Sequence, residues 1–85
     1  MNIRCVVACH NANGEPDLFP CIVRCTEAQY ENGDHYEAAK TEAISEGYGA
    51  PFVVIDERDP PTKLFKLFKW SDVKHARRHS LDRDS

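Results

Sequence analysis

The sequence predicts an α+β fold: a small antiparallel sheet in the order strand, strand, helix, strand, strand, with one main helix packed on one face. Three observations carry this expectation. Two segments rich in Val, Ile and Cys flank a stretch dense in turn formers. A run rich in Ala, Glu and Lys has a helix start and stop. The apolar run Pro51-Phe52-Val53-Val54-Ile55 is bounded by turn residues on both sides. With 85 residues, two hydrophobic cores would each bury too little surface to offset chain entropy. Residues 1–70 are therefore read as a single domain. Residues 71–85 are read as a basic C-terminal extension, partly helical and partly disordered.

Residues 3–10 and 18–25 read as a β-hairpin around the loop 11–17. Asn13-Gly14 can supply positive φ, and Pro16 has no amide proton for a ladder. A hairpin centred on Glu15 pairs Cys5 with Cys25, Val7 with Val23 and Cys9 with Cys21. Strand alternation then stacks these six small side chains on one face, the less polar of the two, which is expected under the helix.

Thr26-Glu27-Ala28-Gln29 matches a capping box, and Asn32-Gly33 limits any helix there to about one turn. Asp34 can cap a second start, with Glu37 at the reciprocal position, so the main helix is expected over 35–46. Tyr36, Ala39, Ala43 and Ile44 form its apolar stripe, and Gly47 can end it in the left-handed conformation. The continuous apolar run 51–55 predicts a central strand buried on both faces. Residues 64–70, with three aromatics, are read as a strand returning antiparallel beside it, with a helix as the alternative. Ser71 caps a short helix over 72–79, and the last six residues fray.

Hydrophobic residues make up 41% and charged residues 29%, a balance that favours folding over disorder. No stretch approaches the roughly 20 apolar residues of a membrane span, and the opening eight residues are too short for a signal-peptide core. The expectation is a cytoplasmic protein with no membrane partner, whose four cysteines are thiols. The net charge of −3 hides a division. Residues 1–61 hold four bases and eleven acids, whereas 62–85 hold seven bases and three acids. The acidic body repels phosphate backbones, and the basic end can contact them or lie against the body.

Four groups of residues are candidates for chemistry. Cys5, Cys9, Cys21 and Cys25 could bind zinc, but partners four apart on a strand lie about 13 Å apart, at roughly 3.3 Å per residue. One ion needs every sulfur about 2.3 Å away, so buried thiols are the simpler reading, and opposed cysteines leave a disulfide as a third. Tyr30, Glu31, Asp34, His35 and Tyr36 gather at the start of the main helix, where an anion is favoured and a His beside carboxylates could act as acid or base. The bland alternative makes Asp34 a cap, Tyr36 core and His35 a solvated first-turn residue. The turn Asp56-Glu57-Arg58-Asp59 could hold a divalent cation, but lacks the glycine and ligand spacing of a calcium loop, so a solvated turn is the simpler reading. Lys63, Lys66, Lys69, Trp70, Lys74, Arg77 and Arg78 interleave bases with an aromatic, as a nucleic-acid surface does. A solvated edge strand protected by lysines explains the same residues.

The chain has no phosphate-binding glycine loop, dinucleotide fingerprint or serine elbow, so no cofactor is implied. The element order is similar to that of several small proteins of phages and mobile elements, including inhibitors of host defence systems and antitoxins. The favoured expectation is a small binding or regulatory protein, not an enzyme. It acts on a protein partner, or on a second copy of itself, through its acidic surface or an exposed sheet edge. The alternatives are a nucleic-acid-binding module using the basic end, and a metal protein or enzyme using the cysteines or His35.

Overall fold

Asn11 closes the first hairpin, and its position sets the register of the sheet. Its amide Oδ1 accepts from the N–H of Asn13 at 2.9 Å and of Glu15 at 3.1 Å. The backbone closes around it with Asn11 N–H on Glu15 O and Gly14 N–H on Asn11 O, both at 2.9 Å, and Gly14 sits at φ +77°. The computed structural model of the chain describes residues 1–59 and 76–81. Within them, β1 spans Asn2–His10, β2 Pro16–Arg24, α1 Glu27–Asn32, α2 Asp34–Ser45, β3 Gly49–Asp56 and β4 Arg77–Ser80.

Because the loop turns on Asn11 and Gly14, β2 begins at Pro16 and the hairpin centre lies two residues earlier than expected. Cys5 faces Cys21, Val7 faces Phe19 and Cys9 faces Asp17, which replaces the pairing of Cys5 with Cys25. The shift is even in residues, so every side chain keeps its expected face.

The four strands are ordered β3-β1-β2-β4. β1 is antiparallel to β2 and to β3, whereas β4 runs parallel to β2, so the sheet is mixed rather than antiparallel. Among the described residues β3 lies at the edge of the sheet, and its residues are mostly exposed or half-buried instead of buried on both faces. β1 and β2 occupy the centre because the hairpin pairs along its whole length. Residues 77–80, expected as the end of a helix, form β4, and Leu81 N–H donates to Arg24 O at 2.7 Å. The expected strand over 64–70 lies outside the described residues, as do 72–75.

Ladder parity explains where proline is tolerated in β2. Cys25 N–H donates to Met1 O at 2.9 Å, and the Met1 ammonium donates to Cys25 O at 2.7 Å. Odd residues of β2 therefore point their backbone groups at β1, and even residues point outward. Pro16 and Pro20 are both even, so neither removes a bond to β1. Leu18, the even residue between them, donates its N–H to Asp17 Oδ1 at 2.8 Å. β4 covers β2 only over 21–24, and the outer edge before it offers no N–H to another strand.

α1 forms where the capping box predicts. Gln29 N–H donates to Thr26 Oγ1 at 3.1 Å, and Gln29 Oε1 accepts from Thr26 N–H at 2.8 Å. Gly33, at φ +82°, ends α1 and begins α2, a conformation that favours glycine. Asp34 therefore makes no cap bond, and its Oδ1 accepts from Asn32 Nδ2 at 3.0 Å.

α2 lays His35, Ala38, Ala39 and Ala43 on the sheet, while Ile44, expected in the stripe, is 52% exposed. Beneath these alanines lie Ile3, Cys5, Val7, Cys9, Phe19, Cys21, Val23 and Cys25 in one buried cluster. Small side chains on both layers let the helix sit close, and the cysteines serve as compact hydrophobes. His79 of β4 faces the same layer, its Nδ1 2.6 Å from Glu42 Oε1 of α2.

Candidate functional site

β2 and β3 run the same way, since both are antiparallel to β1, so their C-terminal ends lie at one end of the sheet. α2 begins shortly after β2 ends, and its first turn therefore meets the turn that follows β3. That junction holds the densest polar network among the described residues. Nε2–H of His35 donates to Asp56 Oδ2 at 2.7 Å, a direction set by the carboxylate, which only accepts. The hydroxyl of Tyr36 donates into the Asp59 carboxylate, 2.8 and 2.7 Å from its two oxygens, and lies 3.2 Å from Asp56 Oδ2.

The turn itself is folded by the same carboxylates. Asp56 Oδ1 accepts from Arg58 N–H at 2.7 Å, and Asp59 Oδ2 accepts from Asp56 N–H at 2.9 Å. Glu57 N–H donates to Arg4 O at 2.9 Å, and the Arg4 guanidinium pairs with the Glu57 carboxylate.

His35 is 2% exposed and Asp56 1%, so the solvated histidine expected from its first-turn position is corrected to a buried one. Tyr30 stacks on its ring at a centroid distance of 4.7 Å, and Tyr36 approaches it at 4.1 Å. The Arg58 guanidinium covers the outer face of the stack, 5.0 Å from the Tyr30 centroid. Burial first, then the hydrogen bond to Asp59 and the charge of both carboxylates, hold the Tyr36 phenol well above its ordinary range.

The network ties the first turn of α2 to the turn after β3. Catalysis by a His–Asp pair needs the second ring nitrogen to face a nucleophile. Here Nδ1 of His35 is buried and has no hydrogen-bond partner. Cys5 stands opposite Asp56 in the β1–β3 ladder, but burial, then the neighbouring Cys21 and Asp56, push its thiol far up. That is the reverse of what activates a cysteine nucleophile. All four cysteines are buried thiols. The carboxylates of the 56–59 turn are engaged by Tyr36, His35 and backbone amides. Among the described residues no group of three or more His, Cys, Asp or Glu is placed to hold a metal ion.

The structure thus joins Tyr30 and His35 in one assembly, leaves Glu31 exposed on α1 and ties Asp34 to Asn32. Lys66, Lys69 and Trp70 lie outside the described residues, Arg77 opens β4, and Arg78 is exposed on it. The sequence offers Asp56 and Asp59 as part of a solvated turn, with a cation site as the alternative. The signal that would have joined them to His35 is the parallel relation of β2 and β3.

Two further surfaces are open among the described residues. A cleft of about 380 Å³ lies at the hairpin end, lined by Ala8, Cys9, His10, Pro16, Asp17, Leu18, Pro51 and Val53. Beside it runs the outer edge of β3, where Val53 is 48% exposed. Among the described residues no helix is long and apolar enough to cross a membrane. No protein-family model, curated protein or solved structure matches the chain.

Proposed function

We propose that the chain is a small binding protein that works by contact, adding an extended segment of a partner protein to the outer edge of β3. The difference between the two sheet edges carries this reading. Beyond β4, the edge of β2 is silenced by Pro16, by the Leu18 N–H bound to Asp17, and by Pro20. Among the described residues nothing silences the edge of β3. Glu57 N–H bonds Arg4 O, so odd residues of β3 face β1 while Val54 turns its N–H and C=O outward. Its neighbour Asp56 has its N–H held by Asp59, which ends the edge.

Strand addition takes affinity from main-chain bonds and specificity from pockets for alternate side chains. The hairpin-end cleft supplies such a pocket. Ala8, Pro16, Leu18, Pro51 and Val53 make it apolar, with His10 and Asp17 also in its lining. Asp17 at the cleft, with Glu15 beside it in the loop, favours a segment carrying a base next to its apolar anchor.

Selection of a random peptide library against the full chain tests this. The expected binders alternate apolar residues and carry Lys or Arg, and they shift the amide resonances of Ala8, Leu18, Val53 and Val54. Val53→Asp, at an exposed position, should abolish them. A selection that yields no binder, or binders indifferent to Val53→Asp, overturns the proposal.

A further inference from the structure

At the other end of the same sheet face, two arginines share a cleft in which no described acid meets them. Cross-strand register places Asn2, Arg24 and Ser80 in one row, and Arg4, Ile22 and Arg78 in the next. Asn2, Ile22, Arg24, Arg78, His79 and Ser80 line a cleft of about 240 Å³. Ile22, 9% exposed, forms an apolar floor, whereas Arg24 and Arg78 are exposed. The Arg4 guanidinium is engaged by Glu57. Among the described residues neither Arg24 nor Arg78 meets a carboxylate.

Arg24, from the acidic segment 1–61, and Arg78, from the basic segment 62–85, line one cleft from adjacent strands, where an anion between them would relieve their repulsion. Each guanidinium presents a planar fork that fits two oxygens of a tetrahedral oxyanion. The Asn2 amide, in the same row as Arg24, adds a donor to the rim.

We propose that this cleft binds a single phosphate group carried on a small molecule, a phosphate monoester. Two positive charges match the dianion of a monoester. A cleft of about 240 Å³ has room for one phosphate and a small carbon group rather than for a chain of phosphates. The floor at Ile22 gives the ester's carbon group an apolar contact. The site is separate from the β3 edge, so either can fail without the other.

Titration of the full chain with inorganic phosphate and with phenyl phosphate, followed by amide resonances at constant ionic strength, tests the proposal. Saturable shifts are expected at Asn2, Arg24, Arg78 and Ser80, with phenyl phosphate binding the tighter. Arg24→Gln and Arg78→Gln should each weaken binding about tenfold, the scale of one lost charge-assisted fork, with the rest of the amide spectrum unchanged. Shifts that grow linearly without saturating, or that survive Arg24→Gln, overturn it. So does a single-stranded oligonucleotide that displaces phenyl phosphate and binds more tightly with length, which would mark the cleft as part of a nucleic-acid surface.

Discussion

At the residue scale the most consequential group is His35. Its Nε2–H bond to Asp56 joins a helix start to the end of a strand 21 positions later in sequence, inside a stack of three rings. Removing one partner of such a pair leaves the other buried without its counterpart. His35→Ala should therefore lower stability by about 3–5 kcal/mol, read from urea unfolding. A loss below 1 kcal/mol would show that the junction is not a clamp. Cys5 governs the alkaline limit. Its folded pKa is raised from an ordinary 9.0, so the folded state keeps a proton that the unfolded chain releases. The stability it contributes is complete below pH 9 and is lost as pH rises further, by about 1.4 kcal/mol per pH unit. Tyr36 acts with the same sign from its ordinary 10.0 upward. Cys5→Ala should flatten the fall between pH 9 and 10, and an unchanged slope would place the titrating group elsewhere.

At the element scale, the parts legible in the sequence are those fixed by neighbours in the chain. The Thr26 capping box and the left-handed Gly33 and Gly47 are local devices, and the structure has them where the sequence puts them. Thr26→Ala should cost about 1 kcal/mol, and Gly33→Ala about 1–2 kcal/mol, because a Cβ is disfavoured at φ +82°. Both are measurable by thermal unfolding, and a neutral Gly33→Ala would contradict the backbone assignment. The hairpin register was less legible. A seven-residue stretch of turn formers contains a five-residue loop, and only the Asn11 side chain decides which residues belong to it. The cysteine face survived the error because the displacement was even. His35 was misread because a helix start is usually solvated, and what buries it comes from another strand.

At the scale of the whole molecule, strand order was not legible, since it depends on contacts between segments far apart in sequence. The apolar run at β3 resembles a central strand, yet the hairpin holds the centre and β3 lies outside it. The exposed Val53 on one face and the packed Val54 on the other show how an unbroken apolar run can serve an edge. With four thiols enclosed between the sheet and α2, labelling of the folded chain by a thiol reagent should proceed at the rate of global opening. All four should react together in urea. Early modification of Cys21 alone would mean that β4 opens independently of the core.

The prolines of β2 carry one more consequence. A sheet with two receptive edges can add copies without end, each new molecule offering the next a template. Here Pro16, Pro20 and the occupied N–H of Leu18 make growth one-sided. Two copies that met through β3 would turn β4 and the stretch of β2 before it outward, and along that stretch of β2 the withheld donors stop further addition. Replacing both prolines by valine should restore the missing donors and convert that stop into open-ended ribbons, visible as a concentration-dependent rise in light scattering. If the double variant stays as soluble as the parent, the prolines shape the strand without policing its edge.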